Sequence, residues 1–315
     1  MFLKQKLIKL NISNSAVIMK KIRISVGIPA YNEEQNITAL LDAIAKQRPR
    51  IAVIEKVFVI DDGSTDSTRE KVESFMKSGK LRGKLQLICL KKRRGKWFAI
   101  NTFLKIAKSP VLILESADNI PKEDCYEKMA RHFLEGRMGI VGARVVPLND
   151  RKTFFGFLAY LTYDLHHELA LETPKFGELI MFRHYAVKYV RPTTVDEEEI
   201  ARLIKKKGLI LKYEPEAIVY NKAPETLPDF INQQKRNYCG HLILYNKYKY
   251  KAATLGNWGI LKRLFKHLNC SDTPKLFAAV ILELTARFLG FLNYKTRKSE
   301  DILWKPIKSV KNLRA

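Results

Sequence analysis

Apolar and polar positions along the first half of the chain follow the pattern of alternating strands and helices. Short apolar runs rich in β-branched residues lie at 23–29, 56–60, 85–90 and 110–114. Segments with apolar residues at helical spacing separate or follow them, at 36–46, 67–77, 97–108 and 124–135. Near-continuous apolar strands are typical of a sheet covered on both faces. We therefore predict an α/β fold whose mostly parallel sheet is flanked by helices.

The second half gives a less regular pattern. Residues 150–170 are rich in aromatic side chains and favour no single element. Beyond them, the pattern predicts strands and helices in alternation: strands at 178–183, 210–213 and 217–220, and helices at 196–207 and 227–245.

Segment 274–294 is apolar on almost every side. Inside it, Glu283 and Arg287 stand four residues apart, a spacing at which two side chains on a helix form an ion pair. About 20 apolar residues are enough to span a bilayer. A helix lying in the membrane interface and a buried core helix remain open alternatives.

These patterns divide the chain into three predicted regions. Residues 1–20 form an N-terminal extension, 21–245 the α/β domain, and 246–315 a helical C-terminal region that we expect to associate with a membrane.

Polar clusters follow three of the predicted strands at the point where each strand ends. The clusters read PAYNEE from Pro29, DDGSTD from Asp61 and ESADNIP from Glu115. Ligands of open parallel sheets bind at the carboxyl ends of the strands. The sequence therefore predicts a binding site where these three loops meet.

The charge of the chain is strongly positive: 57 Lys and Arg face 32 Asp and Glu, a formal net charge of +25. Such a field favours anionic partners, whether nucleic acid, acidic lipid headgroups or phosphorylated substrates. A surface merely solvated by lysine is an equally good interpretation. The four cysteines show no CxxC or CxxH spacing, which argues against a zinc site or a disulfide framework.

The strand-end clusters offer groups that could bind the parts of a sugar nucleotide. The Asp61-Asp62-Gly63 turn can accept hydrogen bonds from a base or ribose. Carboxylates in the cluster from Glu115 to Asp118 could hold Mg²⁺ or Mn²⁺ through oxygen ligands. Gly95-Lys96 opens a helix, where backbone N–H groups favour an anion. Among the four successive acids 196–199, one or two could serve as general base.

Taken in order, these motifs resemble the family 2 glycosyltransferases of the GT-A fold. The resemblance covers about residues 22–241 and rests on the succession PAYNEE, VIDDGSTD, RRGKWFAIN, ESADNIP, FGELIMFR, VDEEEIARLIKKKG and PEAIVYNKAPETLPDFINQQKR. It implies a nucleotide-sugar site made by Pro29, Ala30, Tyr31, Asn32, Glu33, Asp61, Asp62, Gly95, Lys96 and Asp118.

The resemblance also implies roles for the metal and the base. The DxD motif that holds the divalent metal, Mg²⁺ or Mn²⁺, falls on Ser116-Ala117-Asp118, so Asp118 alone matches. We expect Glu115 to point to the opposite face of the strand. The catalytic Glu-Asp pair falls on Asp196-Glu197 with the acid types reversed. The base is then Glu197 by position or Asp196 by chemistry, and we prefer Glu197.

The remaining implied residues line the cleft between donor and acceptor. Gln233 and Arg236 match part of the QxxRW motif of membrane-embedded members, whose Trp is replaced here by Asn237. Glu178 lies where family members line the acceptor cleft. The implied reaction is a single displacement with inversion at the anomeric carbon.

The expected partners follow from the same resemblance. They are a UDP- or GDP-sugar donor, a lipid-linked or polysaccharide acceptor and an anionic membrane surface on the cytoplasmic face of the cell membrane; nucleic acid is not expected. Two alternatives stay open. One is a catalytically degenerate donor-binding or scaffold subunit. The other is a sugar-1-phosphate nucleotidyltransferase, which the absence of a Gly-rich loop after the first strand argues against.

Overall fold

A computed structural model describes residues 21–255, 263–264, 273–296 and 307–311. The strands are β1 Ile22–Ala30, β2 Ala52–Asp61, β3 Leu85–Cys89, β4 Val111–Glu115, β5 Asn119–Pro121, β6 Met138–Pro147, β7 Leu179–Arg183 and β8 Ile210–Asn221. The helices are α1 Ile37–Lys46, α2 Thr68–Lys77, α3 Lys96–Ile106, α4 Cys125–Arg131, α5 Phe154–Glu172, α6 Asp196–Lys206, α7 Leu227–Tyr248 and α8 Thr273–Thr296.

The strands form one eight-stranded sheet in the order β3-β2-β1-β4-β7-β6-β8-β5. Pairings among β1, β2, β3 and β4 are parallel, as is β6 with β8. Strand β7 runs antiparallel to both β4 and β6, and β5 antiparallel to β8. The predicted α/β sheet flanked by helices is confirmed, with an antiparallel strand at its centre.

Alternation along the strands sends side chains into two separate core layers. Ile24, Val26 and Ile28 of β1 pack on one face, in a cluster that includes residues of α1 and α4. Phe58 and Ile60 of β2 pack on the other face with residues of α3 and α6. Because both faces are covered, the strands read as continuous apolar runs.

The region between 135 and 222 differs most from the sequence pattern. Strand β6 and helix α5 were not predicted. The two short strands expected at 210–213 and 217–220 are one strand, β8. Its register against β6 jumps from Glu214 to Ile218, and Pro215 lies in that bulge. Proline has no N–H to donate, so the ladder is interrupted without ending the strand.

Helices α5, α7 and α8 pack together beside the sheet. They share a small apolar cluster that includes Leu161, Phe230 and Ala279. A Cβ on Gly290 of α8 would lie 2.9 Å from the carbonyl oxygen of Lys235, so the two helix backbones are in close contact. Helix α7 ends at Tyr248, just past the predicted boundary at 245. The predicted N-terminal extension, 1–20, lies outside the described residues.

Helix α8 confirms part of what its sequence indicated. The predicted ion pair forms, with Arg287 Nε donating to Glu283 Oε1 at 2.8 Å. By length and composition the helix could cross a membrane, and 22% of its most apolar stretch is buried. One stripe is exposed: Phe277, Ile281, Leu284, Phe288, Phe291 and Leu292. The alternative of a buried core helix is therefore wrong.

Candidate active site

The loops that follow β1 and β2 are bonded to each other. Asn32 adopts a left-handed backbone conformation, φ 54°. Its N–H donates to Ser64 Oγ at 2.9 Å, and its side-chain oxygen accepts from Thr65 N–H at 2.8 Å. Gly63 has φ 76°, and a Cβ there would lie 2.7 Å from the nitrogen of Arg93. This close approach explains the need for glycine in the turn.

The two aspartates of that turn have different surroundings. Asp61 is fully buried; it accepts from Ser64 N–H at 3.1 Å and from Arg69 Nε at 2.5 Å. Asp62 lines the cleft described below and accepts from the N–H groups of Arg94 and Gly95 at 2.8 and 2.7 Å. Burial raises the pKa of Asp62, partly offset by those two hydrogen bonds. Asp62 is therefore held by two N–H groups that directly precede α3.

Lys96, the first residue of α3, connects three elements. Its ammonium lies 2.6 Å from Glu197 Oε1 and 3.5 Å from Ser116 Oγ. Burial would lower the pKa of Lys96, but the charges of Glu197 and Asp196 outweigh it and raise the pKa. For Glu197, burial acts upward and Lys96 downward, and the net result is a lowered pKa. Glu197 is therefore an ionised partner of the lysine.

Asp196 differs from its neighbour although both are buried. Among the described residues, its Oδ1 has no hydrogen-bond partner. Burial raises its pKa to about 7, the charge of Lys96 opposing and that of Glu197 adding to the effect. A carboxylate with a vacant oxygen and a pKa near neutrality has the properties of a general base.

Asp118 and Glu115 point to opposite sides of the strand end, as expected. Glu115 is buried and accepts from Asn119 and from Tyr126 at 2.6 and 2.9 Å; burial raises its pKa to about 8. Asp118 lines the cleft, and its pKa is raised by burial and by the charge of Glu33.

A divalent cation fits Asp118 only if the substrate completes its shell. Within residues 21–255, 263–264, 273–296 and 307–311, no group of three or more His, Cys, Asp or Glu is placed to hold a metal ion. Magnesium sites commonly combine one or two carboxylates with substrate phosphates and water. Asp118 suits that arrangement better than a protein cage.

Glu178 immediately precedes β7 and has an unusual backbone. Its φ is 52°, a left-handed value costly for a residue with a Cβ. Its carbonyl accepts from Ser116 N–H at 3.0 Å, which fixes the turn. Burial and the charge of Asp118 raise its side-chain pKa to about 7. The strained turn thus places a second carboxyl of intermediate pKa in the cleft.

Helix α7 supplies the wall opposite the strand ends. Gln233 and Arg236 line the cleft. Burial lowers the pKa of Arg236, and the charges of Glu178 and Asp196 oppose that effect. One turn further on, a Cβ on Gly240 would lie 2.0 Å from Thr194 Oγ1. The glycine therefore lets α7 approach the segment that leads into Asp196.

Together these groups surround one cleft of about 300 Å³. It brings together 13 of the residues predicted from sequence: Pro29, Ala30, Tyr31, Glu33, Asp62, Gly95, Lys96, Asp118, Glu178, Asp196, Glu197, Gln233 and Arg236. Asn32 and Asp61 are not among its lining residues and instead hold the loops that form it. The role of each of these residues remains a prediction.

The cleft also contains residues outside the predicted set of site residues. Arg93 lies over the ring of Tyr31, 4.0 Å from its centroid. Lys175, His241 and Lys311 also line the cleft. Arg93 belongs to the basic run at 91–94, which is visible in the sequence. Lys311 is 278 residues from its partner Glu33, a separation that no local pattern reveals.

Two further cavities lie beside the cleft. The first, between α5, β8 and α7, shares Lys175, Gly177, Glu178, Gln233 and Asn237 with it and also contains His166 and His167. The second is an apolar groove of about 490 Å³ between α5 and α8, lined largely by leucines. The first cavity shares Leu158, Thr162, His166 and Gln234 with that groove. The three cavities thus adjoin one another through shared lining residues.

Two family models match the chain. "Glycosyl transferase family 2" matches residues 25–191, and "Glycosyl transferase family group 2" matches residues 111–292. The chain belongs to glycosyl transferase family 2. The matched ranges include every loop of the cleft except the segment around Lys311.

Curated relatives of this family 2 member match over part of their length. An uncharacterized glycosyltransferase of Mycoplasma pneumoniae, the MG025 homolog, is 27% identical over 175 residues, 53% of this chain and 54% of that protein. Human dolichyl-phosphate beta-glucosyltransferase is 30% identical over 115 residues, 35% of each chain. The chain thus spans about half or less of the relatives it matches.

A solved structure confirms the fold over nearly the whole chain. It is the mannosyltransferase PcManGT from Pyrobaculum calidifontis, in complex with GDP-Man and Mn²⁺. The TM-score is 0.64 at 19% identity, over 89% of each chain. The likeness supports the GT-A architecture of this family 2 member.

Proposed function

We propose that this chain is an inverting glycosyltransferase that moves a sugar from a nucleotide-diphosphate-sugar to a hydroxyl of a lipid-linked or polysaccharide acceptor at a membrane surface. One observation carries the proposal: a single cleft contains the strand-end loops, Asp118, and the Lys96–Glu197–Asp196 group. It offers places for a nucleoside, a diphosphate and a proton acceptor side by side.

The donor end lies at Tyr31 and Asp62. Tyr31, with the guanidinium of Arg93 on its ring, offers a flat surface for a base. Asp62 is held in place by backbone N–H groups and lines the same wall. PcManGT, which shares the fold, holds GDP-Man, and this supports a nucleotide sugar as the donor here.

Asp118 would hold Mg²⁺ or Mn²⁺ together with the diphosphate. A bound divalent cation would neutralise charge on the departing nucleoside diphosphate. The Mn²⁺ of PcManGT supports a divalent metal, and Asp118 is the carboxylate in the cleft that matches the family's metal motif. Lys96 supplies further positive charge near Ser116 and is kept protonated by Glu197 and Asp196.

We assign the base to Asp196, although the position in the motif favours Glu197. Glu197 Oε1 is engaged by the ammonium of Lys96 at 2.6 Å, which makes it a poor proton acceptor. Asp196 Oδ1 has no hydrogen-bond partner among the described residues, and burial raises the pKa of Asp196 to about 7. Asp196 would take the acceptor proton while Glu197 holds Lys96 toward the leaving group.

The need for a base favours a hydroxyl acceptor. A phosphate oxygen already carries negative charge and requires no proton acceptor, whereas a hydroxyl does. Glu178, Asp196 and Glu197 also make this part of the cleft unfavourable for a second phosphate. Dolichyl-phosphate beta-glucosyltransferase is named for a lipid phosphate, so the two acceptor classes can be tested against each other.

The apolar groove and α8 support an acceptor carried on a lipid. The groove adjoins the cavity that contains Glu178 and Gln233. The exposed stripe from Phe277 to Leu292 lies on the same helix that lines the groove. A helix with such a stripe lies in a membrane interface with its apolar side inserted. The basic surface would then face acidic headgroups on the cytoplasmic side.

The test is binding and hydrolysis of a panel of UDP-, GDP- and TDP-sugars, with and without Mn²⁺, on wild type and Asp118→Ala. Thermal stabilisation reports binding, because a ligand stabilises the folded chain by an amount set by its concentration over Kd. We expect one donor to stabilise the wild type in the presence of Mn²⁺ and Asp118→Ala to lose that response. A wild type that binds no nucleotide or nucleotide sugar would overturn the proposal.

A further inference from the structure

Residues 307–311 form a strap across the donor end of the cleft. Ile307, Val310 and Lys311 line the cleft, and the first two are buried. Neither the motif order nor the matched family ranges reach this segment.

The strap is attached on both sides of the cleft. On the side of α7, Ser309 N–H donates to Asp229 Oδ2 at 3.0 Å, and Ser309 Oγ accepts from Glu225 N–H at 3.2 Å. On the side of β1, the carbonyl of Val310 accepts a 3.5 Å hydrogen bond from Asn36. These bonds fix the strap between α7 and the segment that follows the PAYNEE loop, immediately before Lys311.

Lys311 extends from the strap into a group of carboxylates. Its ammonium forms an ion pair with Glu33 and donates to the carbonyl of Tyr31 at 3.2 Å. It also lies near enough to Asp118 to counter the rise in that group's pKa caused by burial and Glu33. A lysine ammonium has three donors. Among the described residues, Glu33 and Tyr31 account for two of them.

We propose that Lys311 binds the diphosphate of the sugar-nucleotide donor, supplying from the strap a fixed positive charge beside Asp118. The inference rests on the proposed function, and it names a residue of the donor site outside the motifs of the first 241 positions. The nucleoside would lie against Tyr31 and Asp62, and the reacting sugar would face Asp196. The phosphates between them then pass Asp118 and Lys311.

The charge balance explains why a fixed cation is useful here. Ser116 stands at the first position of the metal motif, where a second carboxylate would strengthen metal binding. With one motif carboxylate, the site holds the cation less tightly and leaves more phosphate charge to the protein. Ammonium contacts with phosphate oxygens are charge-assisted and stronger than neutral hydrogen bonds. Glu33 orients the ammonium before the donor arrives.

The experiment compares nucleoside, nucleoside monophosphate and nucleoside diphosphate binding, in Mn²⁺, for wild type and for Lys311→Ala, Lys311→Arg and Lys80→Ala. Isothermal titration calorimetry gives the diphosphate affinities, and competition against the diphosphate gives the others. Lys80 is the matched control, since it is also paired with a carboxylate, Asp42, but lies outside the cleft.

We expect Lys311→Ala to weaken diphosphate binding about tenfold, the effect of losing one charge-assisted contact. Nucleoside binding should be unchanged, Lys311→Arg should restore most of the diphosphate affinity, and Lys80→Ala should match the wild type.

Three results would overturn the inference while leaving the proposed function intact. The first is an unchanged diphosphate affinity in Lys311→Ala. The second is an equal loss of affinity for nucleoside and diphosphate, which would mean that Lys311 only forms part of the cleft wall. The third is a gain in diphosphate affinity, which would mean that the strap obstructs the site. A wild type that binds no diphosphate at all would instead overturn the proposed function and the inference with it.

Discussion

Asp196 and Glu197 show how adjacent residues of the same charge acquire different chemistry. Both begin α6 and both are buried. The ammonium of Lys96 contacts Glu197 and lowers its pKa, while Asp196 has one oxygen without a partner in the described part of the chain and a pKa raised to about 7. The assignment of the base therefore depends on one contact made by a residue about a hundred positions earlier in the chain.

The first prediction separates the two acids. Asp196→Asn should lower donor hydrolysis on the order of 10³-fold, the usual effect of removing a general base, with unchanged affinity for the nucleoside diphosphate. Glu197→Gln should lower donor hydrolysis and also weaken diphosphate binding, because Lys96 loses its partner. Steady-state rates and calorimetry on both variants check this. The assignment is wrong if Glu197→Gln alone loses turnover while Asp196→Asn stays active.

The second prediction concerns pH. Asp196 accepts a proton only when it is ionised, and burial holds its pKa at about 7. Below that pH we expect kcat/KM for donor hydrolysis to fall about tenfold per pH unit, and above it to reach a plateau. A pH profile of the wild type measures this limb. A limb near the lower pKa of Glu197 would point to that residue instead.

At the scale of elements, the cleft depends on how closely α7 approaches the start of α6. Gly240 is buried, and its missing side chain leaves room for Thr194 and Val195. Its neighbourhood on α7 includes Arg236 and His241, both of which line the cleft. The spacing of the two elements therefore sets the position of Asp196 relative to Arg236.

The third prediction follows from this contact. A Cβ at position 240 would lie 2.0 Å from Thr194 Oγ1, so Gly240→Ala should destabilise the fold by about 1–3 kcal/mol. Donor turnover should fall too. Gly136→Ala is the control, because a Cβ there meets no atom of the described residues within 4 Å. Denaturant unfolding of both variants measures the effect, and equal stability would show that α7 adjusts freely.

At the scale of the whole molecule, catalytic and apolar surfaces adjoin. The groove between α5 and α8 is lined largely by leucines, and α8 also exposes a stripe of large apolar residues that shares Leu284 with the groove. The chain as a whole carries a formal net charge of +25. The arrangement is consistent with the proposal that the acceptor is bound at an anionic membrane.

The fourth prediction tests that surface. Leu284 and Phe288 of α8 are both 60% exposed. The double variant Leu284→Glu with Phe288→Glu should lower binding to anionic vesicles roughly tenfold or more, since neither side chain can then insert into the lipid. Hydrolysis of a soluble donor should be unchanged. Leu134→Glu, at a site 57% exposed outside α8, is the control in a vesicle flotation assay. Equal flotation of all three proteins would show that α8 does not contact lipid.

The sequence by itself determined the sheet of the first half, the three loops at its edge and the family. Apolar runs buried on both faces and turns that require Gly63 or Asn32 are local requirements, so they are visible in short windows. The order of the motifs was enough to name 13 of the residues that line one cleft.

Only the tertiary structure decided which of these residues are available for chemistry. Buried Asp61 pairs with the partly exposed Arg69, Asp62 binds the helix start, and Lys96 engages Glu197 rather than Asp196. Lys311 reaches Glu33 from the far end of the chain. These contacts join residues that chain folding brings together, and their energies depend on burial and distance, which a linear pattern of residue types does not contain.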